Sequence, residues 1–274
     1  MNTPTAQIRR SGLTFTDKVV VITGGAKGIG SGCARVFVDA GAKVLIGEID
    51  DEAAKTLSDN LSQAGPGTCV WVHCDVTEPD QLHHLIDTAV AQHGQLDCLI
   101  NNAGGGHWPR RIDDISLDFL KQVMTLNFVS QFVACQHALP YLRKTKGSIV
   151  NMGSITSQQG QEGTTSYCAS KGAVASFTKS LAIEEAASGV RVNTVLPGNI
   201  LSDGRMKVSA EKGPELDKWI DANQHFGRSG TIEEVGQVCL FLASEAASFM
   251  TGTEVQVTAG VELGFGVKYP TKFI

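Results

Sequence analysis

Seven short runs rich in apolar and β-branched residues recur along this chain, and the stretches between them carry the period of an amphipathic helix. The runs are KVVVIT from Lys18, AKVLIG from Ala42, CVWVHCD from Cys69, LDCLINN from Leu96, GSIVNMG from Gly147, VRVNTVL from Val190 and EVQVTA from Glu254. Strands this apolar need cover on both faces, which a parallel sheet obtains from its crossover helices. Helical patterns occupy 29–40, 51–64, 79–93, 115–144, 166–187 and 232–244. This βαβα order predicts an α/β fold: a Rossmann-like, doubly wound parallel sheet of about seven strands with helices on both faces.

A chain of 274 residues suffices for one such domain. No low-complexity tract, repeat or linker divides it. We expect a flexible N-terminal arm over residues 1–16 and a single domain over 17–274. Within that domain the polar, helix-prone stretch 202–226 reads as a lid over a site. The 30 glycines against 8 prolines imply tight strand-to-helix turns and close backbone approaches to a ligand.

Charge excludes one class of partner. A net charge of −5, with Lys and Arg scattered along the chain, leaves no footprint for nucleic acid. The first seventeen residues contain no apolar signal core and no apolar run is long enough to cross a bilayer, so the expectation is a cytoplasmic protein without a membrane partner. The seven cysteines are dispersed, odd in number and lack zinc-ligand spacing, which reads as buried free thiols in a reducing compartment and no metal.

The first apolar run is followed at once by Thr23-Gly24-Gly25-Ala26-Lys27-Gly28-Ile29-Gly30 and then by a helical pattern. Glycines let the backbone approach a pyrophosphate, and a helix N-terminus offers free N–H groups and a positive dipole end. The strand–turn–helix context makes the cluster a nucleotide-binding candidate. Glu48 ends the second run, eighteen residues after Gly30, where a carboxylate accepts ribose hydroxyls and repels a 2′-phosphate. NAD is therefore the expected cofactor ahead of NADP. Lys27 dissents, because a cation there could hold the extra phosphate, and Asp50 could share the ribose or cap the next helix. Asp75, with Val76 beside it, could accept the adenine amino group or serve the turn before Thr77. Asn102-Ala103-Gly104 ends the fourth run at the sheet's switch point, where Asn102 could also satisfy the strand ends.

Tyr167 and Lys171 lie one helical turn apart on one face, so phenol and ammonium can converge on a single ligand. A nearby cation is expected to lower the phenol's pKa and make it a usable base. Ser154, at the end of the fifth run, can donate to a substrate oxygen that gains negative charge.

Taken together, TGGAKGIG, Asp75, NNAG, Asn127, Ser154, Tyr167 with Lys171, and Pro197-Gly198 make the sequence resemble a short-chain dehydrogenase/reductase from about Lys18 to Lys268. The resemblance implies that Tyr167 is the acid/base, that Lys171 lowers its pKa and holds the nicotinamide ribose, that Ser154 positions the substrate oxygen, and that Asn127 anchors a water in a proton relay. It also implies that Gly24, Gly28 and Gly30 shape the phosphate turn and that Ile200 and Ser202 face the nicotinamide carboxamide, although the family usually has Thr where Ser202 stands. A homotetramer is implied as well. The C-terminal stretch 261–274, with Leu263, Phe265, Val267, Tyr269 and Phe273, supplies apolar residues for such an interface.

Narrower stretches, ALPYLRK from Ala138, PGNI from Pro197, FLASEA from Phe241 and ELGFG from Glu262, resemble 17β-hydroxysteroid dehydrogenases of a branch also linked to L-fucose oxidation. Gln161 matches a substrate-pocket position there, whereas Gly105 and Leu201 stand where that branch has a histidine and a bulky aromatic. The expected reaction is NAD-dependent oxidation of a secondary alcohol, or its reverse, with a 17β-hydroxysteroid leading and L-fucose or a similar sugar as the alternative. A non-catalytic NAD-sensing module is the distant alternative. A sugar would call on polar groups beside Gln161, such as His107, Arg110, Glu162 or Asn199; a steroid pocket should be mostly apolar.

Overall fold

The computed structural model describes residues 12–106 and 109–263. Among them, seven strands form one parallel sheet: β1 (Val19–Thr23), β2 (Lys43–Glu48), β3 (Thr68–His73), β4 (Cys98–Asn101), β5 (Ser148–Met152), β6 (Arg191–Pro197) and β7 (Glu254–Val257), in the order β3-β2-β1-β4-β5-β6-β7. Helices α1 (Gly28–Asp39), α2 (Asp51–Ala64) and α9 (Ile232–Ala243) cover one face, and α3 (Pro79–His93), α5 (Ser130–Thr145) and α6 (Thr165–Glu185) the other. This is the doubly wound sheet expected. Although the strands read as continuous apolar runs, their side chains still alternate: Val20, Ile22, Val44 and Ile46 enter one core with Phe37 and Leu240, while Val19, Val21 and Leu45 enter the other with Leu85 and Leu142.

Chain order reverses between β1 and β4, which pair through Val20↔Cys98, Val21↔Leu99 and Ile22↔Ile100. A crevice at the carboxyl ends of the strands is expected at such a reversal. Six cysteines are buried and Cys168 is half-buried, all with free thiols. Burial pushes Cys69, Cys74, Cys98 and Cys135 up to about 12, which makes them unreactive apolar fillers. No helix among the described residues is long and apolar enough to cross a membrane.

One expectation is corrected. The helix foreseen over 115–144 is two helices, α4 (Leu117–Met124) and α5, joined by a π-helical turn at Thr125–Val129. A π turn widens one turn of an otherwise continuous helical path, and a single long helical pattern does not mark where it falls. The stretch 202–226 contains α7 (Asp203–Lys212) and α8 (Pro214–Ala222), which leave the sheet after β6. The arm's first eleven residues and the tail from 264 onward lie outside the described residues.

Helices α1 and α9 cross through bare backbone. A Cβ on Gly32 would stand 2.5 Å from the Ile232 carbonyl carbon and oxygen, and one on Gly236 would stand 2.8 Å from Gly32 O. Gly32→Val therefore has to push α9 off the sheet, and overpacking of this kind costs about 1–3 kcal/mol. Urea unfolding should show a midpoint lowered accordingly; an unchanged midpoint would contradict the packing described.

Candidate active site

A cavity of about 870 Å³ opens over the carboxyl ends of the strands, with the reversal between β1 and β4 at its floor. One half is built by the turn after β1. Gly28 takes a φ of +52°, a region open to glycine, and Gly30 has no room for a side chain: a Cβ there would lie 2.0 Å from Gly24 O and 2.6 Å from Asn102 Nδ2. Lys27 precedes α1 without capping it, and no acidic residue occupies the first helical turn. The Gly28 N–H donates to Asp203 Oδ2 at 2.6 Å, so an anionic oxygen already rests on this helix end. Gly24, Lys27, Gly28 and Ile29 all line the cavity; Gly30 lies behind them.

Glu48 is buried at the end of β2 with its carboxylate pinned by three backbone donors, Ala26 N–H to Oε2 at 3.2 Å and the Ile49 and Asp50 N–H groups to Oε1 at 3.0 and 3.4 Å. It borders the cavity, as do Asp75 and Val76. The Lys27 ammonium pairs with the Asp50 carboxylate, which raises the pKa of Lys27 and lowers that of Asp50. Asp50 also caps α2 by accepting the Ala53 N–H at 3.0 Å. Asp75 closes its turn by accepting from the Thr77 N–H and hydroxyl at 2.9 and 2.7 Å. Asn102 does satisfy strand ends: its Nδ2 donates to Thr23 O and Gly24 O at 3.0 and 2.9 Å. Ala103 and Gly104 continue the wall, and Pro197, Gly198, Ile200 and Ser202 complete it from β6. A glycine turn whose helix end already holds an anionic oxygen, a fixed carboxylate at the end of β2 and small residues after β4 match the demands of a dinucleotide.

The other half comes from β5 and α6. Ser154 follows β5 after Gly153, and Tyr167 and Lys171 reach the cavity from the first turns of α6. The Ser154 hydroxyl oxygen accepts from the Thr156 N–H at 3.2 Å and from the Thr156 hydroxyl at 3.0 Å. Lys171 is only 3% exposed, donates to Met152 O at 2.8 Å, and has its ammonium 5.7 Å from the centre of the Tyr167 ring. Burial lowers it to about 8. The expected depression of the phenol is corrected: burial raises the Tyr167 pKa, and what opposes the rise is its hydrogen bond with Ser154 and not Lys171. Desolvation outweighs a cation that is itself poorly solvated and turned toward a carbonyl.

Asn127 sits fully buried in the π turn, and its side chain is engaged by Gly105 on both sides, accepting from the N–H at 2.9 Å and donating to the carbonyl at 3.1 Å. The amide therefore ties the loop after β4 to the helix pair.

Gln161 borders the cavity, as sequence suggested. Asn199 and Leu201 do not. Asn199 is exposed and bonds Gly230 through its carbonyl at 2.9 Å, and Leu201 is 48% exposed, its N–H on Gly230 O at 2.8 Å. The segment is extended, so with Ile200 turned inward its two neighbours turn out. Arg110 stacks 4.4 Å above the Phe119 ring, and neither it nor Glu162 lines the cavity; His107 lies outside the described residues. Asp203 and Thr156 were not singled out by sequence, since each also reads as an ordinary turn or cap residue.

A family model described as enoyl-(acyl carrier protein) reductase matches residues 24–262. An L-fucose dehydrogenase of Bos taurus is 39% identical over 260 residues, covering 94% of this chain and 94% of its own. That of Oryctolagus cuniculus is 39% identical and covers 93% of this chain and 89% of its own. A solved short-chain type dehydrogenase/reductase from Mycobacterium ulcerans superposes with a TM-score of 0.86 at 30% identity, covering 92% of each chain.

The buried ammonium yields a pH test. Below about 8 Lys171 is charged in both the folded and the unfolded chain; between about 8 and 10.5 the unfolded chain alone keeps the proton. Stability relative to a Lys171→Met variant should therefore rise with pH across that window, by up to about 1.4 kcal/mol per pH unit. Urea titrations of both proteins at the two ends of the window check it, and a difference that stays flat or falls would contradict the burial.

Proposed function

The chain belongs to the short-chain dehydrogenase/reductase family, and from that premise we propose that it oxidises L-fucose or a similar sugar with NAD, at the lactol hydroxyl. It is an NAD(P)-dependent oxidoreductase acting on CH–OH groups. The observation that carries the sugar reading is the similarity to L-fucose dehydrogenases over more than nine-tenths of the chain. The 17β-hydroxysteroid that sequence placed first has no such support among the relatives described above and moves to second place.

Bound dinucleotide supplies the hydride acceptor. In the proposed oxidation the Tyr167 phenolate takes the hydroxyl proton of the substrate, and in the reverse direction the phenol returns it. Ser154 donates a hydrogen bond to the same oxygen as negative charge develops on it. Lys171 contributes a nearby positive charge and a donor for a ribose hydroxyl. Gln161, at the open end of the cavity, offers an amide to the further hydroxyls of a sugar. Because burial raises the Tyr167 pKa, the phenol is protonated at neutral pH and oxidation gains rate as pH rises.

The preference for NAD over NADP is supported by two electrostatic features. Glu48 holds a carboxylate against the cavity wall, and Asp50 neutralises Lys27, the one cation of the glycine turn. A 2′-phosphate would meet the carboxylate without a free cation to compensate. A homotetramer and a cytoplasmic location belong to the same proposal. Phe132 on α5 and Ile183 on α6, 45% and 79% exposed, supply apolar surface for assembly, and 202–226 acts as the lid.

Reduced-cofactor formation measured over free sugars and 17β-hydroxysteroids, with NAD and NADP in parallel, tests the reading. We expect L-fucose with NAD to give the highest kcat/KM. Tyr167→Phe should then lose about 10² to 10⁴ in kcat while NAD binding stays close to wild type. A steroid alcohol as best substrate would overturn the sugar assignment, and turnover within about tenfold of wild type would overturn the role of Tyr167.

A further inference from the structure

A hydroxyl group has one hydrogen to give and two lone pairs to receive with. At Ser154 both lone pairs are taken by the same neighbour, through the Thr156 N–H at 3.2 Å and the Thr156 hydroxyl at 3.0 Å. We propose that Thr156 is a positioning residue that makes Ser154 an obligate hydrogen-bond donor toward Tyr167 and the substrate oxygen. The inference rests on the proposed roles of Ser154 and Tyr167.

The backbone contact alone needs no special residue. Ser154 opens the short helical turn Ile155–Ser157, and a serine in that position accepts a nearby N–H as a routine cap. The Thr156 hydroxyl is the addition. Its β-branch restricts rotation about χ1, so its donor is held where the second lone pair lies. With both acceptor sites filled, the Ser154 hydrogen has to point away from Thr156.

The consequence falls on Tyr167. A protonated phenol beside an acceptor-competent serine can park its hydrogen on the serine oxygen, which stabilises the neutral phenol and withholds the proton from a substrate. Filling both Ser154 lone pairs closes that arrangement and leaves Ser154 donating to the phenol oxygen, or to a substrate oxygen placed between them. The direction agrees with the influence of Ser154 on Tyr167, which lowers the phenol's pKa against the rise caused by burial.

Two variants separate this role from packing. Thr156→Val keeps the backbone N–H and the β-branched shape and removes only the hydroxyl; Thr156→Ser keeps the hydroxyl. The first readout needs no substrate: tyrosinate absorbance followed against pH, with the Tyr167→Phe protein subtracted, reports the Tyr167 titration. Thr156→Val should move it to higher pH and Thr156→Ser should restore it. The second readout is L-fucose oxidation with NAD. Thr156→Val should lower kcat by about three- to tenfold, the worth of one hydrogen bond, with NAD affinity unchanged. In a Ser154→Ala background it should have no further effect. An unshifted tyrosinate titration in Thr156→Val would overturn the inference, as would an equal loss of kcat in the Ser154→Ala background. A shifted titration in a protein inert toward L-fucose would keep the inference and sink the sugar reading instead.

Discussion

The Gly24 carbonyl is the point at which β1, the bare backbone of α1 and the Asn102 side chain after β4 meet. Gly30 at the start of α1 packs its bare backbone against this oxygen, where a methyl group would stand at 2.0 Å, and Asn102 at the end of β4 donates to it at 2.9 Å. The same Asn102 amide reaches Thr23 O, and the Thr23 hydroxyl accepts the N–H groups of Asn102 and Ala103 at 3.0 and 3.1 Å. The ends of β1 and β4 and the head of α1 are thereby held in one arrangement at the place where strand order reverses. Had α1 stood one methyl further out, its N–H groups would no longer face the crevice that β5 and α6 border from the other side.

Burial governs the chemistry of that second side. The strands beneath it carry polar side chains in the sheet interior, with Asn101 Nδ2 on Asn151 Oδ1 at 2.9 Å and Asn151 Nδ2 on Thr178 Oγ1 at 2.9 Å. These contacts pair the Asn151 amide on both sides, while Asn101 Oδ1 is buried without a hydrogen-bond partner among the described residues. Above them Lys171 and Tyr167 have no comparable set of partners, and both are pushed toward their neutral forms, the lysine down to about 8 and the phenol upward. A site poised this way holds a proton to give at neutral pH and responds strongly to any charge brought into it. The glycine turn follows the opposite principle: its exposed N–H groups draw an anionic oxygen, a role that the Asp203 carboxylate plays in this structure.

Features that depend on local spacing were legible in the chain. The four-residue separation of Tyr167 and Lys171, the glycine turn between a strand and a helix, and Ser154 at a strand exit follow from element type alone, and all of them border one cavity. Features that depend on what a neighbour does were not. The π turn around Asn127 is set by a local change in backbone hydrogen bonding within a continuous helical path, which the apolar period alone does not locate. Asn199 and Leu201 flank the inward residue Ile200, and in an extended segment a one-residue difference decides which side a group faces. The sign of the Tyr167 shift depends on burial contributed by distant segments. Substrate preference is the least legible property of all, since the cavity's open rim is formed by loops of small and polar residues such as Gly105 and Gln161, which carry no periodic signal. Resemblance put a steroid first, whereas relatives that match over more than nine-tenths of the chain are L-fucose dehydrogenases.

Calorimetric titration of NAD into Gly30→Ala tests most directly whether the meeting at Gly24 sets up the site. The methyl group has to displace either the Gly24 carbonyl or the Asn102 amide. The two cores do not include this contact, so the far-UV spectrum should stay that of the folded chain. Affinity for NAD should fall by at least about tenfold, the equivalent of roughly 1.4 kcal/mol. A folded variant that binds NAD as tightly as the wild type would contradict the account.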